Sequence, residues 1–359
     1  MTLSSKVGMI HVSGSALTQF VQSLLMRVDV PSEDAVITAH VLVDADMTGR
    51  HTHGVSRLPL YMERILRGVM TARPNIHIES GRFPTAVAMD GGNGLGPVIA
   101  WRAMQQAVHL SAQYGVGIVA VKGSNHAGAM GVYCEEAAKR GHIFMALTNS
   151  PPGIPPWGGR TAFLGTNPIA YGIPRGSNQP PIIVDLATSV VARGHIIQAA
   201  RLKEQIPPDW AIDDQGYPTT DPAAALRGAV LPMAGPKGYA LALVVEILSG
   251  VFSGAGVGPE VKNPYNDFSG ASNVGHFFWA LNSAAFEQEN EFFARLVAME
   301  EAIHGVPTMP GQTIRLPGDR AHDRRQDYQE QGIPIDPDLF HRLNTLAEEC
   351  EAPRLTSIP

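Results

Sequence analysis

One texture recurs four times between residues 85 and 187: "TAVAMDG", "GVGIVAVKG", "HIFMALTN" and "PIIVDLA". Each is a short β-rich run bounded by glycine, proline or asparagine. Between them lie longer stretches of helical composition, "GPVIAWRAMQQAVHLSAQYG" and "NHAGAMGVYCEEAAKRG". A chain that alternates in this way buries its strands in a central sheet with helices packed on it, so the expected class is α/β. Ahead of this region the chain reads as helix. Leu17, Phe20, Val21, Leu24 and Leu25 follow the stripe of a core-facing helix. "PSEDAVITAHVLVDADM" predicts a second helix capped by Ser32, with Glu33 and Asp34 in the first turn where the dipole favours acids. Gly49 ends it, "RHTHG" is the connecting loop, and "RLPLYMERILRG" starts a third helix closed by Gly68. Helical patterning returns after Lys237 ("GYALALVVEILSGVF"), near residue 284 and at 336–350. The expected division is a helical domain, residues 1–75, completed by residues 300–359, around a central cofactor-binding sheet domain, residues 76–299.

Composition narrows the function. The 359 residues are 44% hydrophobic and 17% charged, an ordinary globular balance. A net charge of -6 carries no polybasic excess, which argues against nucleic acid or an anionic membrane as the main partner. The two cysteines, Cys134 and Cys350, form neither a zinc module nor a disulfide scaffold and suit a reducing cytoplasm. The N-terminal "MTLSSKVGMIHVSGSALTQF" makes a poor signal peptide, and the densest apolar run, "YALALVVEIL", is broken by Glu246. The expectation is a cytoplasmic protein.

The stretch richest in chemistry is "GRHTHGVSR", residues 49–57. Three readings compete for it: a metal clip, a proton-transfer site beside an anion clamp, and an ordinary polar loop. In an extended segment His51 and His53 would point to one side and reach one ion, as a metal-dependent hydrolase requires. A third ligand would come from His126 or Asp185, but no HExxH or dense acidic cluster supports the pair. Proton transfer uses more of the motif. His53 titrates near neutrality, the Thr52 hydroxyl can orient its ring, and the Arg57 fork suits a carboxylate.

Two further clusters surround small residues. "KGSNHAGAMG", residues 122–131, lies between a strand and a helix, where backbone N–H groups attract phosphate. "LGTNPIAYGIP" (164–174) offers Thr166 and Asn167 as donors to a bound acid, and "PIIVDLATSVVARG" (181–194) puts Asp185 at a strand end. Lys237 begins a helix, a place that disfavours a cation unless an anion joins it. "RLPGDRAHDRR", from Arg315, reads as a basic loop. The glycines nowhere fall as GxGxxG. The nearest match, "GVGIVA", leads into a strand rather than out of one, so any dinucleotide is bound without a Rossmann turn.

These clusters together, with "DADMTGRHTHGVSRLPLYMERILRG", "GSNHAGAMG", "DLATSVVARG", "GPKGYALALVVEILSG" and "RLPGDR", resemble the malate/L-lactate dehydrogenase family that lacks a Rossmann fold. That family also includes ureidoglycolate and sulfolactate dehydrogenases, diketogulonate reductase and the piperideine/pyrroline-2-carboxylate reductases. The resemblance covers residues 10–330. It implies the family's own mainly antiparallel central sheet, an intertwined homodimer, and hydride transfer with NAD or NADP on a small 2-oxo or 2-hydroxy acid. A cyclic 2-imino acid is the alternative substrate.

Carried over by motif, it implies His53 as proton donor or acceptor, Thr52 in the place of the family's serine, and Arg57 as holder of the substrate carboxylate. His126, Ala127, Gly128, Ala129 and Met130 line the cofactor, with His126 near the reacting centre. Thr166, Arg193 and His195 face substrate. Ser150, the turn Asp185-Leu186-Ala187, the pair Lys237-Gly238 and the loop Arg315-Leu316-Pro317-Gly318 contact cofactor, and no metal is expected. Two positions depart from the family. His51 replaces an acidic or apolar residue, and His195 follows "VARG" where relatives carry an acid or a lysine.

Overall fold

A computed structural model describes residues 8–176, 179–286 and 288–358, so the signal-peptide reading of the first residues lies partly outside them. Strand β1 (Ile10–Val12) leads into α1 (Gly14–Arg27), α2 (Ser32–Met47) and α3 (Leu58–Leu66). The five striped residues of α1 are all buried. They join α2, α3 and the late elements β11 (Ile333–Ile335) and α11 (Pro337–Glu349) in one apolar cluster, and β1 pairs antiparallel with β11.

The middle of the chain supplies β2 (His77–Ser80), β3 (Ala86–Asp90), α4 (Gly96–Tyr114), β4 (Val116–Ser124), α5 (Gly131–Ala138), β5 (His142–Thr148), β6 (Ile169–Ile173) and β7 (Ile182–Leu186). After α6 (Arg193–Leu202) come β8 (Ala211–Ile212), α7 (Pro222–Arg227) and β9 (Ala229–Val230), a small appended unit. Helix α8 (Pro236–Glu246) runs on as a π-helical turn, Ile247–Val251, ahead of β10 (Val274–Asn282), α9 (Glu289–His304) and α10 (Asp319–Gln331).

The main sheet has seven strands in the order β2-β3-β4-β10-β5-β6-β7, antiparallel throughout except for the parallel β3–β4 pair. Alternate residues of β10 face opposite layers. Phe278 packs with α4 and α5, whereas Phe277 packs with Val245 and Leu248 at the end of α8. A side chain as buried as Phe278 contributes ~3–5 kcal/mol on this kind of site. Among the described residues no helix is long and apolar enough to cross a membrane.

Several expectations need correction. Ser32 is the first helical residue; Pro31 takes the cap position and makes no side-chain hydrogen bond. "NHAGAM" is not helical, because α5 begins only at Gly131 after a turn in which Gly128 has φ +73°. The basic loop after Arg315 becomes helix α10 from Asp319. It has no buried residue and therefore no apolar stripe in its sequence, and Arg325 ties it down through Asp44 and Glu135. The central strand β10, which the sequence reading did not include, is a near-continuous buried run, since both sheet faces are covered.

Candidate active site

After α2 the chain does not extend. Residues His51–His53 and Val55–Arg57 form two successive 3-10 turns. The fastener is Asp46, a buried carboxylate in the last turn of α2. Its Oδ1 lies 2.9 Å from His51 Nδ1 and its Oδ2 accepts the Val55 N–H at 2.7 Å. Gly54 permits this approach, because a Cβ there would overlap the Asp46 carboxylate. Burial raises the Asp46 pKa, and the His51 and Val55 hydrogen bonds oppose the rise. The two imidazoles therefore turn different ways. Among the described residues no group of three or more His, Cys, Asp or Glu side chains could hold a metal ion.

His53 faces the other partner. Its Nδ1 is 3.0 Å from Thr52 Oγ1, and its ring stacks on His126 with centroids 5.5 Å apart and planes 20° apart. Burial, with the Arg57 and Arg50 charges, pushes the His53 pKa down to about 4. His126 is held well below the usual histidine range by burial and Arg57. Both rings are neutral at neutral pH. The Gly128 N–H donates to His126 Nδ1 at 3.3 Å, so the ring proton of His126 is on Nε2. Tyr61 Oη lies 2.7 Å from the same Nδ1 and 3.1 Å from the His126 carbonyl.

Arg57 donates through Nε to the Thr52 carbonyl at 2.5 Å, and its guanidinium lies 5.1 Å from the centre of the Tyr265 ring. Among the described residues neither Nη group has a hydrogen-bond partner and no carboxylate pairs with it. Burial lowers its pKa, as expected of a cation without a counter-ion.

A cleft of about 550 Å³ opens beside the stacked histidines. His53, His126, Ala127 and Gly128 line one part; Ser150, Thr166, Lys262 and Pro264 line others. Arg57 is not among the lining residues, although Tyr265 above it follows Pro264 directly. Thr166 is braced by its N–H to Ser150 Oγ at 3.0 Å and by the Thr188 hydroxyl and N–H on its carbonyl. Asn167, expected as a substrate donor, is instead committed to the core. Its amide donates to Glu246 Oε2 at 2.7 Å, and Oε1 of the same buried carboxylate accepts the Gly258 N–H at 2.7 Å.

Several of the residues expected around a cofactor pack along β7 or the segment that follows it. Asp185 Oδ2 accepts the Gly131 N–H at 3.0 Å and lies 3.3 Å from Arg50 Nε, so the start of α5 already has its anion. The Ile183 N–H donates to the Pro317 carbonyl at 3.0 Å, which lays the Arg315–Gly318 loop along β7. The Met233 N–H donates to the Thr188 carbonyl at 2.9 Å and brings up the exposed Lys237 at the head of α8. Leu186 is exposed, and Arg315 pairs with Asp323.

Arg193 and His195 stand apart from the cleft lining. A Cβ on Gly194 would stand 3.3 Å from Thr52 Cγ2, but Arg193 donates to the Leu226 carbonyl at 3.1 Å and His195 packs edge-on to Trp210. Sequence reading missed Asp46, Tyr61, Arg50 and Lys262. Of these only Asp46 had a signal, as the last acid before the histidine motif.

A family model described as malate/L-lactate dehydrogenase matches residues 12–344. The chain is 39% identical over 326 residues to the L-sulfolactate dehydrogenase of Methanocaldococcus jannaschii, covering 91% of this chain and 93% of that protein. The solved structure of that enzyme superposes with a TM-score of 0.89, over 96% of this chain and 98% of that one at 36% identity. The Escherichia coli K12 ureidoglycolate dehydrogenase (NAD(+)) is 32% identical over 92% of this chain and 94% of its own. A Δ1-piperideine-2-carboxylate reductase structure from Pseudomonas syringae pv. tomato gives a TM-score of 0.85 at 30% identity, over 94% of this chain and 99% of that one.

Proposed function

The chain belongs to the malate/L-lactate dehydrogenase family, and on that premise we propose that it moves hydride between C2 of a small 2-hydroxy or 2-oxo acid and NAD or NADP. The observation that carries this reading is Arg57. It is a part-buried guanidinium whose Nη groups have no hydrogen-bond partner among the described residues, four residues from a neutral imidazole. A substrate carboxylate supplies the missing anion, and the planar fork takes it bidentately.

In the oxidation direction, neutral His53 accepts the hydroxyl proton while C2 becomes a carbonyl. Thr52 steadies the ring through Nδ1. His126, protonated on Nε2, keeps a second donor beside it. When bound, the nicotinamide supplies the two-electron acceptor for the C2 hydride. Ala127 to Met130, Ser150, Asp185 to Ala187, Lys237-Gly238 and Arg315 to Gly318 are the residues we assign to holding it. Support comes from the contacts of Gly131 with Asp185, of Pro317 with Ile183 and of Met233 with Thr188, and from a turn with no room for bulk, since a Cβ on Gly128 would lie 2.9 Å from Val41 Cγ1. Thr166 is assigned to substrate. Arg193 and His195 are assigned to substrate from their motif, with Gly194 between them close to Thr52.

The test is initial rates of nicotinamide turnover with a panel of 2-hydroxy, 2-oxo and cyclic 2-imino acids and both cofactors. No turnover with any acid would refute the reading. Turnover of the imino acids alone would move the protein to the reductase branch, which the Pseudomonas neighbour represents.

We further propose a cytoplasmic homodimer. Two widely separated free cysteines suit a reducing compartment. Leu241, Val244, Ile247, Val251 and Phe252 form an exposed apolar row along α8 and its π-helical turn, of the kind a second copy covers. The division into a helical unit, 1–75 with 300–359, and a sheet unit, 76–299, is supported by the cluster that joins α1–α3 to α11.

A further inference from the structure

His276 is a fully buried imidazole in β10, the middle strand of the sheet, and both its ring nitrogens are engaged. Nδ1 lies 2.8 Å from Thr148 Oγ1 on β5, and Nε2 lies 2.7 Å from Ser124 Oγ on β4. The Thr148 hydroxyl donates to the carbonyls of Asn149 at 3.0 Å and Gly275 at 3.1 Å. It therefore accepts from the Nδ1–H, and Nε2 is left to accept the Ser124 hydroxyl. Burial keeps the ring neutral, with a pKa of about 3.

The two partners are the last residues of their strands. Beyond Ser124 the chain turns through His126, Ala127 and Gly128; beyond Thr148 it runs through Asn149, Ser150 and Pro151. All of these line the cleft. His276 does not line it, so any effect it has there passes through Ser124 and Thr148. The backbone ladder is interrupted at this level. Between β10 and β4 the register slips, so that Lys122 and Gly123 stand opposite Gly275 alone, and Gly123 takes φ +65°. A bulge of this kind bends its strand and leaves a residue unpaired. The imidazole bridges the interruption. Its own strand is pinned there, because a Cβ on Gly275 would overlap the Ser249 carbonyl in the π-helical turn.

We infer that His276 is a positioning residue: it clamps the ends of β4 and β5 together and so fixes where His126 stands relative to Thr148, Asn149 and Ser150 in the cleft. The kinetic consequence rests on the dehydrogenase reading; the clamp itself does not.

Two measurements on the full-length protein test this. In amide hydrogen exchange, His276→Phe is expected to speed exchange at residues 126–128 and 149–150 by about tenfold or more, the effect of losing one buried hydrogen bond. A rise no larger there than in α1 marks a purely structural role and overturns the inference, as does no rise. In steady-state kinetics on the best acid of the panel, the same variant is expected to lose about 10²-fold in kcat, the scale of a ~1 Å misplacement. His276→Gln keeps a donor and an acceptor and recovers part of the loss. With His126→Ala already present the loss shrinks to about threefold or less, because the clamp acts through that ring. An unchanged kcat, or an equal loss in both backgrounds, overturns the inference and leaves the dehydrogenase reading intact. A wild type without turnover on the whole panel is failure of that reading instead, and exchange then decides the clamp by itself. Where His276→Phe does not fold, Ser124→Ala removes one of the two bonds and is read in the same way.

Discussion

His51 Nδ1 lies 2.9 Å from Asp46 Oδ1, and through that contact the first histidine of the motif closes the turn that carries the second. The other oxygen of Asp46 holds the Val55 N–H, so one carboxylate secures both sides of His53. Asp46→Ala leaves a buried amide unpaired and is expected to cost ~1–3 kcal/mol of stability, with kcat falling as the turn loosens. His51→Ala removes a half-exposed partner and costs less than Asp46→Ala in both measurements. Denaturant unfolding and steady-state kinetics on the two variants check this. Equal losses would show that the imidazole, not the carboxylate, governs the turn.

His53→Ala is expected to lower kcat by ~10²–10⁴, the usual contribution of a positioned acid or base. The variant keeps Arg57 and the cleft, so KM moves far less. An undiminished kcat would place proton transfer elsewhere, with His126 the next group to substitute.

The depressed His53 pKa predicts an unusual pH profile. For oxidation the ring must be neutral, so kcat/KM rises with pH through the free-enzyme pKa of about 4 and is flat through neutrality. A limb near 6.5, where free histidine titrates, would contradict the burial argument.

Stability follows the same groups. His53 and His276 have folded-state pKa values of about 4 and about 3, and His126 is also lowered. Between the unfolded value near 6.5 and these values the unfolded chain binds more protons, so stability falls as pH falls. Each such histidine adds a slope of up to ~1.4 kcal/mol per pH unit. Chemical denaturation at several pH values, with His276→Gln as comparison, measures it; the variant should show a shallower slope.

For Arg57 the magnitudes separate an anion clamp from a surface charge. Truncating one partner of a desolvated charge pair costs ~2–5 kcal/mol, or roughly 30-fold to several-thousand-fold in kcat/KM. Arg57→Lys restores only part, because it keeps the charge and loses the fork. Arg57→Ala within about threefold of wild type, a difference well under ~1.4 kcal/mol, would remove the clamp.

The exposed row on α8 predicts that Val244→Glu combined with Val251→Glu weakens self-association, since two charges would have to be desolvated at the interface. Sedimentation velocity on wild type and variant reads this directly. A monomeric, fully active wild type would end the homodimer proposal.

The sequence alone determined what depends on neighbours along the chain. The α1 stripe, the helix ends at Gly49 and Gly68, four strands of the sheet and the close spacing of Thr52, His53 and Arg57 between α2 and α3 were legible, because periodicity, turn chemistry and short spacing are local. The tertiary structure decided what depends on desolvation and distant partners. Strand β10 reached the centre of the sheet unannounced, since burial on both faces erases alternation. Asn167 was turned from the cleft to Glu246, a residue visible in the sequence only as an acid interrupting an apolar helix. His51 acquired a partner five residues behind it, and Lys262 entered the cleft on a loop that Arg64 grips from 200 residues away in the chain. No pattern of spacing encodes such pairings, because a buried polar group is satisfied by whichever partner the packed layers bring within hydrogen-bond reach.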